Sequence, residues 1–484
     1  MTASVLDYIF NPRSIAIAGV SPDLARPNIA QAFVNSLKDF GYKGDIYPLH
    51  PAGGEIFGLK VYKNIKDIPN NVDYVVSAIP ARYTPQLITD CVVKKVKIVH
   101  LFTSGYSEIE DHIGLELENE IVKIARSGGV RLIGPNCMGT YCPATGMTFA
   151  AEYPDQKGFP KTSGQLGLVS QSGGNTIYAI RQCAERGVYF SKAISYGNAT
   201  DLNESDYLEY FADDDETRLV AMYIEGLKEG QRFKYAVKKA LKTKPVIINK
   251  GGNTETGART CTSHTSAMAG SAKIWRSFIK QTGAILVEGM DELVDVIVAF
   301  TKMPVPHGRN AVVIGTGGGV GVQAADDITN AGLFLPMLNP EVRKQLNSIY
   351  GTEAGSMFRN PVDSPPFGGV KNHIRAIKAI ADSNDIDIII LHFGFDIWAM
   401  VSRTIPLQPF VETVSELVDI IKKPLAIVLH YCTDPKSRVL EDEVAHKFVN
   451  MGLPVYPSIS RAANAISKYI TYHEYRLKNL KDRD

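Results

Sequence analysis

The chain has 484 residues, 45% of them hydrophobic and 21% charged, with a formal net charge of +1 at neutral pH. That length leaves room for about three domains, and the composition is that of an ordinary globular protein. Near-zero net charge supplies no electrostatic footprint for nucleic acid or an acidic membrane, and neither is expected as a partner.

The N-terminal MTASVLDYIF lacks the basic region and cleavage site of a signal peptide. SIAIAG (14–19), GDIYPLHP (44–51), DYVVSAI (73–79) and VKIVHLF (96–102) read as strands. Helical patterns over 28–40, 84–95 and 108–127 separate them, which predicts a parallel sheet with helices on both faces. Residues 134–163 lose periodicity, and a boundary is expected near 150. The rhythm restarts with QLGLVS (165–170) and a helix over 174–186. FSKAIS (190–195), RLVAMYIEG (218–226), PVIINK (245–250) and AILVEG (284–289) follow as strands. MPVPHG (303–308), with two prolines and a glycine, reads as a linker. A third run holds NAVVIGTGG (310–318), DIDIIILHF (385–393), KPLAIVLH (423–430) and a last helix over about 460–477. The most apolar window, 386–401, contains Asp387 and Asp396 and is too short to span a bilayer. The expected fold is α/β, with three doubly wound units over 1–150, 151–303 and 304–484. Ligands belong at the carboxyl ends of their strands.

Six cysteines (Cys91, Cys137, Cys142, Cys183, Cys261 and Cys432) show no CxxC pair and no zinc-like spacing. They read as reduced thiols of a cytoplasmic protein, and no metal site is expected. The first βα turn has Gly19, Ser21 and Leu24 where a dinucleotide fingerprint requires glycines, and the second strand ends without the acidic ribose ligand. NAD is therefore not expected, although Gly19 allows a tight turn and Ser21 can donate to a phosphate. SQSGGN (170–175) follows a strand and opens a helix. Its hydroxyls and glycines suit an anion, and it lacks the glycine two before the serine of a nucleophile elbow. GTGGGVGVQAAD (315–326) has no Lys followed by Ser or Thr, so it is not a Walker loop. His264 stands in GARTCTSHTSAMAGS (257–271), on an expected strand-to-helix loop. Small neighbours leave its imidazole accessible, and a helix start behind it supplies backbone donors, an arrangement suited to carrying a phosphoryl group. Read alone, a histidine in a polar loop is more simply a solvated residue.

In order, these segments resemble the CoA-binding alpha subunit of nucleoside-diphosphate-forming acyl-CoA synthetases, in the succinyl-CoA synthetase superfamily. The resemblance is carried by NPRSIAIAGVS (11–21), FTSGYSE (102–108), GPNCMG (134–139), SQSGG (170–174), SYGNATDLNESDYLEYF (195–211), YIEG (223–226), GARTCTSHTSAMAGS (257–271) and NPVD (360–363). It implies a Rossmann-like CoA-binding domain over 1–150. A flavodoxin-like CoA-ligase domain carrying a phosphohistidine over 151–303 and a second flavodoxin-like CoA-ligase domain over 304–484 are implied to follow. His264 matches the phosphohistidine, and Glu225 the carboxylate that steadies its ring. Gly19, Ser21, Ile79, Pro80, Ser104, Gly105, Asn136 and Cys137 match positions around coenzyme A. Ser172, Gly173 and Gly174 match a phosphate-binding helix start, with Ser266 beside the second one. The implied reaction is carboxylate + CoA + ATP ⇌ acyl-CoA + ADP + phosphate, through an acyl phosphate and phospho-His264. Nothing after residue 300 looks like an ATP-grasp module. The resemblance therefore implies an ATP-grasp beta subunit that binds ADP or ATP with Mg²⁺, in an alpha2beta2 assembly. Ser266 departs from the family's glycine and Tyr106 from its Phe. The alternative is a non-catalytic CoA- or acyl-CoA-sensing protein; the intact His264 and Glu225 pair argues against it.

Overall fold

The computed structural model describes residues 4–109, 112–150, 158–265, 271–315, 318–351, 357–363, 370–394, 414–415, 418, 421–430 and 435–481. The first sheet holds β1 (Ser14–Ala18), β2 (Asp45–Leu49), β5 (Tyr74–Ser77), β6 (Ile98–Leu101) and β7 (Arg131–Ile133), all parallel, in the order β2-β1-β5-β6-β7. A hairpin of β3 (Gly54–Ile56) and β4 (Leu59–Val61), absent from the sequence reading, lies outside that sheet. β1, β5 and β6 are buried throughout, as strands covered on both faces require. Helix Ile29–Phe40 begins with a capping box between Asn28 and Gln31.

The second sheet runs β13-β12-β11-β9-β10-β8. β9 (Leu166–Ser170), β10 (Phe190–Ser195), β11 (Leu219–Ile224), β12 (Val246–Lys250) and β13 (Ile285–Val287) are parallel. The edge strand β8 (Gly139–Tyr141) comes from the aperiodic stretch after the first sheet and pairs antiparallel with β10. The third sheet runs β15-β16-β14-β17-β18-β19. It comprises β14 (Ala311–Gly315), β15 (Met357–Phe358), β16 (Val362–Asp363), β17 (Ile388–Gly394), β18 (Leu425–His430) and β19 (Val455–Tyr456), with only β15 antiparallel among these described strands. The fold is thus α/β with three mainly parallel sheets.

The chain forms two compact units. An N-terminal unit joins Met1–Ala184 with Tyr189–Leu293 and contains the first two sheets; a C-terminal unit joins Glu185–Val188 with Val294–Asp484 and contains the third. The core of the C-terminal unit includes Val312, Ile389, Leu391 and Ile427. It also contains an ion triad: buried Asp295 accepts from Arg186 and Arg461.

Candidate functional site

In the first sheet the chain steps from β1 to β2 on one side and returns to β5 on the other. A crevice opens at the carboxyl ends of strands where the order reverses. A cavity of about 570 Å³ lies there, and Gly19, Ile79 and Pro80 are in its lining. Gly19 has φ +104, and a Cβ there would sit 2.7 Å from the Ala78 carbonyl oxygen. Only glycine lets the turn close this tightly. The Asn28 amide donates to the Gly19 carbonyl at 3.0 Å, and Gln31 Nε2 donates to the Ser21 carbonyl at 2.7 Å. The capping box therefore also fixes the turn. Ser21 uses its hydroxyl to accept the Asp23 N–H at 3.1 Å and is not in the lining.

The loops after β5 and β6 are tied together, because the Thr103 hydroxyl donates to the Ile79 carbonyl at 2.9 Å. Ser104 is exposed, and the Gly105 N–H donates to Glu108 Oε1 at 2.6 Å. Asn136 has φ +56 and donates its N–H to the Thr103 carbonyl at 3.2 Å. Cys137 stands apart from the cavity: its thiol is buried, directed at the Leu101 carbonyl, and pushed up in pKa by burial. His50, Lys63, Asn64, Gln86 and Asp90 also line the cavity. Sequence reasoning missed them. They converge only through the β2–β4 and β5–helix geometry, which no local pattern reveals.

Within the N-terminal unit the loop after β7 meets the loop after β10. A Cβ at Gly197 would lie 2.1 Å from the Pro135 carbonyl oxygen. The N–H groups of Asn198 and Thr200 donate to the carbonyls of Pro135 and Gly134 at 3.1 and 3.0 Å. Asn198 Nδ2 donates to Glu108 and the Thr200 hydroxyl to Glu118, each at 2.6 Å. The Met138 N–H reaches Ser195 Oγ at 3.2 Å.

That seam leads to the start of helix Gly173–Glu185. Ser172 Oγ caps it by accepting the Asn175 N–H at 3.3 Å, and first-turn N–H groups have no intrahelical acceptor. A Cβ at Gly174 would meet nothing within 4 Å, so this end is open. Beside it, the carbonyl oxygen of the buried Gln171 side chain accepts the N–H groups of both Glu225 and Gly226, the latter at 3.0 Å. Glu225 is 5% exposed. Tyr223 bonds both Glu225 and Asn175; burial and then the Glu225 charge push its phenol pKa up. On the neighbouring strand, Lys250 is buried, donates to the Gly251 carbonyl and lies 5.8 Å from the Trp275 ring centroid. Burial pushes its ammonium pKa down, against the charges of Cys261 and Glu225.

His264 is not on a loop: its backbone belongs to helix Glu255–Thr265. Thr254 caps that helix by accepting the Gly257 N–H at 3.0 Å, with Glu255 in the first turn. The sequence reading took the run of small residues as a loop and overlooked this cap. Cys261, three positions before His264 in the same helix, interacts electrostatically with Glu225 and Lys250. Ser266 lies outside the described residues. Among the described residues no cluster of acidic, His or Cys side chains could hold a metal ion, and no helix is long and apolar enough to cross a membrane.

Two family profiles match the chain. A CoA binding domain matches residues 13–143, and a succinyl-CoA ligase like flavodoxin domain matches residues 163–300. The alpha subunit of ADP-forming acetate–CoA ligase I from Pyrococcus furiosus is 33% identical over 490 residues, covering 98% of this chain and 99% of that one. The ADP-forming acetate–CoA ligase of Methanocaldococcus jannaschii is 38% identical over 362 residues, which span 74% of this chain and 49% of that protein. Among solved structures, dinucleotide forming acetyl-coenzyme A synthetase 1 of Candidatus Korarchaeum cryptofilum, in complex with phosphate and ADP, superposes with a TM-score of 0.81. It is 28% identical in sequence, with 99% of this chain and 98% of that chain covered.

Proposed function

The chain belongs to the ADP-forming acyl-CoA synthetases as an alpha-type, CoA-binding chain, and from that premise we propose that it is an acid–thiol ligase whose phosphoryl carrier is His264. The reaction is carboxylate + CoA + ATP ⇌ acyl-CoA + ADP + phosphate. Towards ATP, a phosphate oxygen attacks the thioester carbonyl, the C–S bond breaks, and CoA leaves as the thiol. The resulting acyl phosphate passes its phosphoryl group to a nitrogen of His264, and the carboxylate departs. The observation that carries this reading is the buried Glu225, its backbone held by Gln171, beside the open helix start at Ser172–Gly174 and near the helix that bears His264. A carboxylate bonded to one ring nitrogen fixes the tautomer and leaves the other nucleophilic. Ser172, Gly173 and Gly174 would meet the phosphate, and the β1/β5 crevice would hold coenzyme A, with Gly19, Ile79 and Pro80 lining it, Ser21, Ser104, Gly105 and Asn136 on the loops around it, and Cys137 buried apart from it.

CoA binding is assigned to residues 1–150, phosphoryl carriage to 151–303 and a second CoA-ligase domain to 304–484. An ATP-grasp beta subunit would supply ADP or ATP with Mg²⁺, in an alpha2beta2 complex within the cytoplasm. The test is to incubate the chain with acetyl-CoA and labelled phosphate. An acid-labile, base-stable label absent from His264→Ala and diminished in Glu225→Gln is expected. Label that persists in His264→Ala refutes the assignment.

A further inference from the structure

Strand β12 ends on Lys250, in register with Ile224 of β11, so Gly251 and Glu225 follow side by side at the carboxyl end of the second sheet. A Cβ at Gly251 would lie 3.5 Å from Glu225 Cγ and 2.8 Å from the Tyr223 hydroxyl. The Glu225 side chain therefore rests against Gly251. Lys250 is 2% exposed. Its one hydrogen bond among the described residues goes to the Gly251 carbonyl, and its ammonium stands 5.8 Å from the centroid of the Trp275 ring. Trp275 is itself buried, in helix Ala272–Thr282, against Phe233 and Phe278. An ammonium has three N–H donors, and a lysine is almost never fully buried unless it is paired. Here the charge is sunk beside an aromatic ring with a single neutral acceptor among the described residues, on the residue next to the one that Glu225 touches.

We propose that Lys250 is the buried counter-charge of Glu225 and a positioning residue for phosphoryl transfer at His264; the second role rests on the function proposed above. Two groups act on the ammonium by their charge, Cys261 and Glu225. Burial raises the Cys261 pKa, so at neutral pH that side chain is an uncharged thiol, which leaves Glu225. Cys261 belongs to the helix that bears His264, so Lys250 acts at the junction of the carboxylate-bearing strand end and that helix. A phosphoryl group arriving beside a buried carboxylate brings like charge into a poorly screened site, where repulsion is several times stronger than in water. An ammonium already fixed by the Gly251 carbonyl and the Trp275 ring offsets that repulsion with no reorganisation at the moment of transfer.

The test compares the wild type, Lys250→Met, Glu225→Gln and the double variant as full chains. Replacing a buried charge by an apolar side chain of similar volume is often neutral or stabilising, so the thermal midpoint of Lys250→Met should not fall. Labelling with acetyl-CoA and labelled phosphate should nevertheless slow at least about ten-fold, with CoA affinity unchanged. In the Glu225→Gln background the same change should slow labelling less than about three-fold, because the two residues act as a pair. Labelling at the wild-type rate in Lys250→Met, the same factor in both backgrounds, or a lowered thermal midpoint with weakened CoA binding overturns the proposal. A second readout does not depend on labelling. The ¹⁵Nζ resonance of Lys250, titrated in a Cys261→Ser background, should report a pKa lower by at least about 0.5 once Glu225 is replaced by Gln; an unmoved titration overturns the pairing. A wild type that takes no label while that titration moves supports the counter-charge and tells against the phosphohistidine reading alone.

Discussion

Replacing Gln171 with leucine tests how the backbone turn that carries Glu225 is held. The Gln171 side-chain carbonyl accepts two backbone N–H groups, those of Glu225 and Gly226, inside a buried turn. Leucine keeps most of the volume and removes the acceptor. Each buried donor left unpaired costs about 1–3 kcal/mol, so local opening of this turn becomes easier by about 2–6 kcal/mol if both are lost. At about 1.4 kcal/mol per factor of ten, even one lost bond raises exchange by about 5- to 150-fold. The assay is hydrogen exchange read at the amides of Glu225 and Gly226, with amides of β9 as the internal reference. Those two amides should lose protection selectively, and His264 labelling should fall with them. Gln171→Glu retains an acceptor and should restore the protection. Unchanged protection in Gln171→Leu, or a loss spread evenly over the sheet, would refute the reasoning.

Three further outcomes are expected. Gly197→Ala places a methyl 2.1 Å from the Pro135 oxygen and 2.4 Å from that of Asn136; it should lower the stability of the N-terminal unit by about 3 kcal/mol in urea unfolding. Asp295→Ala leaves Arg186 and Arg461 without their buried carboxylate. The C-terminal unit should lose about 3 kcal/mol, the low end for a broken buried pair because Arg461 keeps access to water. His100 is buried, donates from Nε2 to the Cys137 carbonyl at 3.0 Å, and has its pKa lowered to about 4 by burial. The unfolded chain binds a proton there below about pH 6.5 and the folded chain does not. Its contribution is therefore complete above about pH 6.5 and is lost as pH falls toward 4. The wild type should lose up to about 3 kcal/mol of stability across that window, and His100→Phe should flatten that slope.

Much of the fold was legible because the strands are long apolar runs buried on both faces, FSKAIS and PVIINK among them, and their boundaries fall within three residues of the observed ones. The turn at Gly19 was legible as a tight turn, and the helix start at Ser172 as a donor-rich cap. What escaped the sequence reading is what depends on a distant partner. Gln171 looks like any residue between two serines; its role exists only because β9 and β11 are neighbours. His264 was placed on a loop because threonines and serines are poor helix formers, yet a cap at Thr254 and Glu255 in the first turn favour the helix. His50 and Lys63 belong to different elements and meet only at the crevice. His392 sits inside the apolar strand DIDIIILHF, and only the fold shows that its ring nitrogens are buried with no hydrogen-bond partner among the described residues.

The antiparallel strand β8 bears on how this polypeptide can be divided. Residues 139–141 lie on the N-terminal side of the boundary read from the sequence, yet they seal the outer border of the second sheet. A fragment ending near residue 150 would carry an orphan strand with no sheet to join. The complementary fragment would uncover the Ala193–Ser195 edge of β10, a ready template for intermolecular pairing and precipitation. Fragments meant to isolate the first sheet should therefore end before residue 134, and those meant to keep both sheets should run through residue 293.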